Sequence, residues 1–246
     1  MKLLRKEGSP LYFQIKSEIK RKIEDKEWQP GDLLPTETEL EERFSVSRTT
    51  VRQAISELQI EGYVSKQQGK GTFVTKPKYE EKLPALRGFT EDVRSKGHFP
   101  RSLVINSDLI IADQYIINKL KINRNEQVLK LVRLRFIDEE PIQITTEYIP
   151  GEVLAKIEWL KLNFSECSLY EEMEKAGIEL DEANEIIEAQ AAEEFTGSLL
   201  KIPVGAPLLI SKRQTFDING KVVEYAISQI RGDRYQNNVR LKRKGS

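Results

Sequence analysis

The chain has 246 residues, 39% of them hydrophobic, which is enough for one large domain or two of ordinary size with real cores. Lysine plus arginine and aspartate plus glutamate each total 39, so net charge singles out no partner, and the lone Cys167 and His98 exclude an intrachain disulfide and a Cys/His metal cluster. No apolar stretch approaches membrane-spanning length and MKLLRKEGSP lacks a signal peptide's apolar run, so a cytoplasmic location is expected.

Charge is unevenly spread: residues 1–78 hold 15 basic against 12 acidic residues, the remainder 24 against 27, and residues 43–78 alone 7 against 2. A local basic surplus is what a phosphate-facing surface needs, because each neutralised phosphate releases counterions. Over residues 10–25, Leu11, Ile15, Ile19 and Ile23 recur every fourth position and predict an amphipathic helix. Pro30-Gly31 breaks it. In LPTETELEERF, Thr36 and Glu39 fit a capping box that starts a second helix, with Leu40 and Phe44 on its buried side.

Ser45-Val46-Ser47 allows only a tight turn before a third helix capped by Ser47. At 100° per residue, Val51, Ala54, Ile55 and Leu58 share one side of it, while Thr49, Arg52, Gln53 and Ser56 share the other, with Arg48 at its start. Such side chains can hydrogen-bond base edges and phosphates. After Gly62, YVSKQQGKGTFV reads as two short strands joined at Gly69-Lys70-Gly71, a hairpin tip able to approach another surface closely. Each piece alone is ordinary; their order and spacing predict a winged helix-turn-helix. The second helix is strongly acidic, so Glu41 and Glu42 are expected to point away from DNA.

Residues 76–88, KPKYEEKLPALRG, read as a linker. Beyond it, strands are predicted at 102–111, 128–137, 142–149, 186–191, 208–216 and 222–230, the last two joined by an Asn219-Gly220 hairpin. Helices are predicted near 90–96, 113–120, 169–176 and 193–200. This mixture gives an α+β class with a mainly antiparallel sheet. At an offset of 80, Ala112, Leu120, Lys121, Ile122, Leu129, Arg133 and Phe136 recur as Ala192, Leu200, Lys201, Ile202, Leu209, Arg213 and Phe216. Two halves of a duplicated unit are expected to complete one sheet. Arg133 and Arg135 share a strand face, as a fork for phosphate or carboxylate or as an ordinary solvated pair. Glu224 reads either as an acceptor for ligand hydroxyls or as an exposed carboxylate.

Residues 10–75 resemble the N-terminal domain of the GntR superfamily of bacterial transcription regulators, through PLYFQI, PGDLLPTETEL, FSVSRTTVRQAI and EGYVSKQQGKGTFV. The resemblance implies that Arg48, Thr49, Thr50 and Arg52 meet the operator and that Gly69 enters the minor groove. Where relatives usually carry arginine in the LPSERE-like motif, this chain has Thr38. Its short hydroxyl implies a different base pair there, or a contact moved to phosphate. Residues 83–241 resemble the UTRA effector-binding domain of the HutC subfamily, with a chorismate-lyase-like fold, through GFTEDVRSKG, LKLVRLRF, PIQITTEYIP, SLYEEME and IRGDRY. In sugar-phosphate-sensing relatives, residues matching Phe89, Thr90, Arg133, Arg135, Ser168, Tyr170 and Glu224 surround the ligand. The two arginines with Ser168 and Tyr170 are implied to hold a phosphate, and Glu224 the sugar. Ile230 stands where relatives often have tyrosine, which removes a hydroxyl from the pocket wall.

The expected organisation is a winged helix-turn-helix domain at 1–75 (contact residues Thr38, Arg48, Thr49, Thr50, Arg52, Gln53, Gly69 and Lys70), a linker at 76–88, and an effector-binding and dimerisation domain at 89–246. The expected function is that of a ligand-responsive repressor: a homodimer on a palindromic double-stranded DNA operator, released by a small phosphorylated effector such as a sugar phosphate. Alternatives are a regulator sensing a non-phosphorylated carboxylate or other metabolite, a lyase-like enzyme, and a constitutive DNA-binding protein. No catalytic residue, cofactor or metal is expected: His98 reads as a turn residue, Cys167 as packing, and the terminal LKRKGS as a frayed tail.

Overall fold

The computed structural model describes residues 9–75, 78–83 and 86–241, which leaves most of MKLLRKEGSP, part of the 76–88 stretch and all of LKRKGS except Leu241 outside the described residues. The chain divides into two compact units, Met1–Tyr79 and Glu80–Ser246.

In the first unit, helices α1 (Leu11–Glu24), α2 (Glu37–Phe44) and α3 (Arg48–Ile60) precede an antiparallel hairpin of strands β1 (Val64–Gln67) and β2 (Gly71–Val74). The capping box is formed: Thr36 Oγ1 accepts from the Glu39 amide at 3.3 Å, and the Glu39 carboxylate accepts from the Thr36 amide at 2.7 Å. Ser45 then ends α2 in a left-handed conformation (φ 54°), and Ser47 caps α3 by accepting from the Thr50 amide at 3.4 Å. Two caps within twelve residues fix the sharp turn between the helices. Ile15, Ile19, Leu40, Phe44, Val51, Ala54, Ile55 and Leu58 form one core with Val64 and Val74 of the hairpin. Each fully buried aliphatic side chain here is worth about 1.5–3 kcal/mol. Leu11, expected in the same apolar row, is 38% exposed, because the row's first turn extends past that core. Residues 31–34 add an arm to the hairpin, with the Gly31 amide donating to Val74 O (2.9 Å) and the Leu34 amide to Thr72 O (2.8 Å).

In the second unit, β3 (Tyr79–Leu83) forms inside the stretch expected as linker. It pairs with a C-terminal strand, β10 (Tyr235–Val239), in a separate two-stranded sheet. Between them run α4 (Phe89–Ser95), β4 (Pro100–Ile111), α5 (Gln114–Leu120), β5 (Gln127–Ile137), β6 (Glu140–Pro150), α6 (Gly151–Ile157), α7 (Leu169–Lys175), β7 (Leu180–Ala191), α8 (Glu194–Leu200), β8 (Pro207–Asp217) and β9 (Val222–Arg231). Six strands form one antiparallel sheet in the order β4-β5-β6-β9-β8-β7. That order mirrors itself about the β6–β9 seam, as the repeat requires.

The repeat is wider than its identities: β4 and β7 start 80 residues apart, as do α5 and α8, and β5 and β8. Lys121 and Lys201 end the two helices at φ 55° and 56°, and the bulge after Arg135 in β5 recurs after Thr215 in β8. Alternation then sorts the two faces. On one, Val128, Leu134, Phe136, Ile144, Leu208 and Ile210 pack beneath α5 and α8. On the other, Leu129, Leu131 and Ile149 pack against α6 and α7. Arg133, Arg135, Glu147, Arg213 and Glu224 fall on that second face, where a hollow interrupts the apolar packing.

Candidate functional site

On the first unit, Thr38, Arg48, Thr49, Arg52, Gln53, Gly69 and Lys70 are exposed, and Thr50 is half-buried. The α3 periodicity explains this: four residues of that helix are in the core, and its polar stripe is left to solvent. The Thr50 hydroxyl lies 2.8 Å from Ser47 Oγ, so it reinforces the cap as well as standing on the exposed side. Glu37 was not singled out in sequence. Its carboxylate accepts from Arg48 Nε at 3.3 Å and from Lys66 Nζ at 3.2 Å, joining the starts of α2 and α3 to β1. The acid at the start of α2 thus has two cationic partners, which limits its repulsion of an anionic ligand. Gly69 holds φ 74° at the hairpin tip with open space around it, so backbone conformation is what requires glycine there.

On the second unit, all seven residues expected around an effector line one hollow: Phe89, Thr90, Arg133, Arg135, Ser168, Tyr170 and Glu224. It encloses about 720 Å³ of atom-free space with its open mouth included, and its wall also carries Gln143, Thr145, Ser211 and Ser228. The arginine pair is not a solvated fork. Arg133 is fully buried and Arg135 is 4% exposed, so the solvated-pair alternative is wrong. Nor is the fork empty, because Glu147 fills its centre. Arg133 Nε donates to Glu147 Oε2 at 2.8 Å, its Nη2 donates to Oε1, and its Nη1 donates to the Phe164 carbonyl at 3.3 Å. Arg135 Nη2 donates to the same Oε1 at 2.9 Å and its Nη1 to Ser102 Oγ at 3.0 Å, while its buried Nε has no hydrogen-bond partner.

Two guanidiniums therefore share one carboxylate, which leaves a buried surplus of positive charge. Burial, and then repulsion from Arg133, pulls Arg135 down to about 10. Burial works to raise Glu147, but the two guanidiniums outweigh it and hold that carboxyl below its ordinary value. Across the hollow, Glu224 is 2% exposed, so it is not the exposed carboxylate of the alternative reading. It accepts from the Tyr170 hydroxyl at 3.0 Å, and that hydroxyl also lies 2.8 Å from Thr215 Oγ1. Burial, and then the Glu147 charge, pushes Glu224 up to about 7. Burial and the Glu224 charge push the Tyr170 phenol upward, which keeps it a donor. Ser168 caps α7, its Oγ accepting from the Glu171 amide at 3.4 Å. Phe89 lies under Arg135, whose guanidinium carbon is 5.3 Å from the ring centroid.

Residues 11–74 match the profile described as bacterial regulatory proteins, gntR family, and residues 95–236 match the UTRA domain. The chain belongs to the gntR family. This regulator is 37% identical over 227 residues to the HTH-type transcriptional repressor NagR of Bacillus subtilis, covering 92% of each chain. It is 30% identical to the mannosyl-D-glycerate transport/metabolism system repressor MngR of Escherichia coli, over 96% of this chain and 98% of that one. The crystal structure of PhnF from Mycobacterium smegmatis superposes with a TM-score of 0.81 at 26% identity, covering 94% of this chain and all of that one. The regulator is a DNA-binding transcription factor with a UTRA effector domain, not an enzyme. No helix among its described residues is long and apolar enough to cross a membrane.

Among the residues of the regulator's hollow that escaped the sequence reading, Glu147 and Arg213 left signals. Glu147 ends a polar alternation, Gln143, Thr145, Glu147, on a strand whose other face is apolar. That pattern also fits a solvent-facing strand edge. Arg213 was recognised as the repeat partner of Arg133 but not as part of the same wall, which only the assembled six-stranded sheet makes apparent.

Proposed function

We propose that this regulator is a cytoplasmic repressor that binds a palindromic operator as a homodimer and leaves it when a small phosphorylated molecule, such as a sugar phosphate, enters the hollow. The observation that carries the effector class is the charge ratio on the hollow's floor: two buried guanidiniums, one carboxylate and an unpartnered Arg135 Nε. A phosphate beside Arg135 relieves the Arg133–Arg135 repulsion and satisfies donors that water reaches poorly. Ser168 adds a hydroxyl beside it. Glu224, Thr145 and Ser228 suit the hydroxyls of a sugar. That the similar repressor MngR is named for a mannosyl-D-glycerate system supports a sugar-derived ligand.

On the DNA side, Arg48, Thr49, Thr50, Arg52 and Gln53 are assigned to the major groove, and Gly69 and Lys70 to the minor groove beside it. Thr38 takes a phosphate or a single base atom, while Glu41 and Glu42 face away. Two such units related by dimer symmetry read two half-sites. Effector and operator must then weaken each other reciprocally, since only differential affinity for two arrangements shifts a population.

The test is fluorescence anisotropy of an operator fragment, titrated with regulator in the presence of hexose phosphates, the parent hexoses and the matching sugar acids. Release by a phosphorylated sugar and not by its parent is the expected result. Equal release by the parent overturns the phosphate assignment, and release by the acids alone moves the ligand to the carboxylate class. An Arg135→Gln variant, which removes one of the two buried cations, should need far more effector for the same release.

A further inference from the structure

Arg213 is the repeat partner of Arg133, yet it is held differently. Arg133 finds its carboxylate on the adjacent strand of its own half, Glu147 of β6. Thr145 lies opposite Arg133 and Ala226 opposite Arg213, so the position equivalent to Glu147 is Ser228, which cannot neutralise a guanidinium. Arg213 instead takes its partners from segments outside that strand pair. Its Nη2 donates to Glu81 of β3 at 3.2 Å and to Glu185 of β7 at 3.0 Å, and its Nη1 donates to the Arg87 carbonyl at 3.1 Å. The second oxygen of Glu81 accepts from the Tyr235 hydroxyl at 2.8 Å. Arg213, Glu81 and Glu185 are each about five-sixths buried, so these pairs are not the weak, fully solvated kind.

The location gives the cluster a consequence. Glu81 and Arg87 lie in the stretch by which the chain passes from the DNA-binding unit to α4, and both border the hollow. Strand β3 is no part of the six-stranded sheet and pairs only with the short β10. One guanidinium therefore fastens this connecting stretch, at two points, to the main sheet.

We propose that Arg213 is the positioning residue that couples the hollow to the connecting strand. With the hollow unoccupied, Arg213 fastens Glu81 and the Arg87 carbonyl to β8. An occupant bearing anionic or hydroxyl oxygens competes for the same guanidinium and sets Glu81 free. This deepens the effector reading above and rests on it for its second half. The fastening itself stands on geometry that needs no ligand.

The experiment uses the full chain in three forms: wild type, Arg213→Gln and Glu81→Gln. Hydrogen exchange is followed at β3 and at residues 86–88, with β5, β6, β8 and β9 as internal reference. Both variants should lose at least tenfold protection in β3 and 86–88 while the reference strands stay protected. A Glu81→Asp variant, which keeps the charge on a shorter arm, should recover part of it. Unchanged protection in both variants overturns the proposal whether or not any ligand binds.

The second readout is operator affinity with and without a saturating hexose 6-phosphate, with inorganic phosphate as control. Wild type should be released and should lose β3 protection when the sugar phosphate is added. Glu81→Gln, already unfastened, should bind operator more weakly than wild type without ligand, and its release ratio should fall at least threefold. Full release of Glu81→Gln with wild-type amplitude also overturns the proposal. If no hexose phosphate releases the wild type, the effector assignment fails by itself and the exchange comparison still decides the fastening.

Discussion

Replacing Glu224 by glutamine removes a charge that the fold tolerates poorly. The carboxylate is 2% exposed, and burial and Glu147 raise it to about 7 from an ordinary 4.5. Its folded value lies above its unfolded one, so its contribution to stability is complete below about 4.5 and is lost as pH rises through about 7. At about 1.4 kcal/mol per unit, that loss is on the order of 3 kcal/mol for a fully buried group. Glutamine keeps an oxygen that can accept from the Tyr170 hydroxyl, 3.0 Å away, and from Thr215 Oγ1, 3.4 Å away, so the variant forgoes the charge and little else. Calorimetric melting at pH 5 and pH 8 checks this. The variant should gain on wild type between the two, by roughly 5–10 °C at about 2–4 °C per kcal/mol. Glu147, held low by two arginines, contributes with the opposite sign in both proteins, losing stability as pH falls, and so does not mimic the effect. A melting difference that is the same at both pH values would refute the reasoning.

Glu147→Gln should cost about 3–5 kcal/mol in urea melts, because two buried guanidiniums lose their shared counter-ion, and excess phosphate should restore part of it against matched chloride. Arg52→Ala should weaken operator binding by about 1–3 kcal/mol in anisotropy titrations and leave the melting of the effector unit unchanged. Arg133→Ala is a poor probe of ligand binding, since it removes two of the three hydrogen bonds that Glu147 accepts from the arginines and leaves a hole in the interior. In the wing, Gly71→Ala should be more destabilising than Gly69→Ala in thermal melts. Both glycines have positive φ, but 74° at Gly69 lies near the left-handed region that other residues can enter, whereas 119° at Gly71 lies well outside it, and a Cβ there must also displace the exposed Leu33 side chain.

The helices of the DNA-binding unit were legible because each rule involved is local. Val51, Ala54, Ile55 and Leu58 follow from the 3.6-residue period, and the α2 and α3 starts follow from Thr36, Glu39 and Ser47. The hairpin at Asn219-Gly220 is equally local. What stayed hidden depends on distant partners. Strand β3 is a short charged run that becomes a strand only by pairing with β10, some 150 residues away, and nothing in KPKYEEKLPALRG announces it. Helix α6 follows Pro150 directly and has no side-chain cap, so its start carries no signal beyond the proline that ends β6. The hollow's residues were named through family resemblance, whereas their mutual neutralisation was not readable: alternation puts Arg133 and Arg135 on one face but does not say whether a carboxylate waits opposite.

Comparing the two halves position by position shows why the hollow is asymmetric although the sheet is not. Arg133 in β5 corresponds to Arg213 in β8, but Arg135 corresponds to Thr215, Glu147 to Ser228, and Gln143 to Glu224. The first half thus holds two cations and one anion at these positions, and the second holds one cation and one anion. Placed side by side across the β6–β9 seam, these sets form a dipolar cleft, with the cationic surplus against Phe89 and Arg135 and the protonatable Glu224 against Tyr170. Such a cleft orients a ligand with one anionic end, because reversing it would bring the anion against Glu224. The second half's own cation is spoken for by Glu81 and Glu185, which come from outside the strand pair. The repeat holds two equivalent arginines, and the second, with Ser228 where the first has Glu147, takes its carboxylates from the connecting strand and from β7.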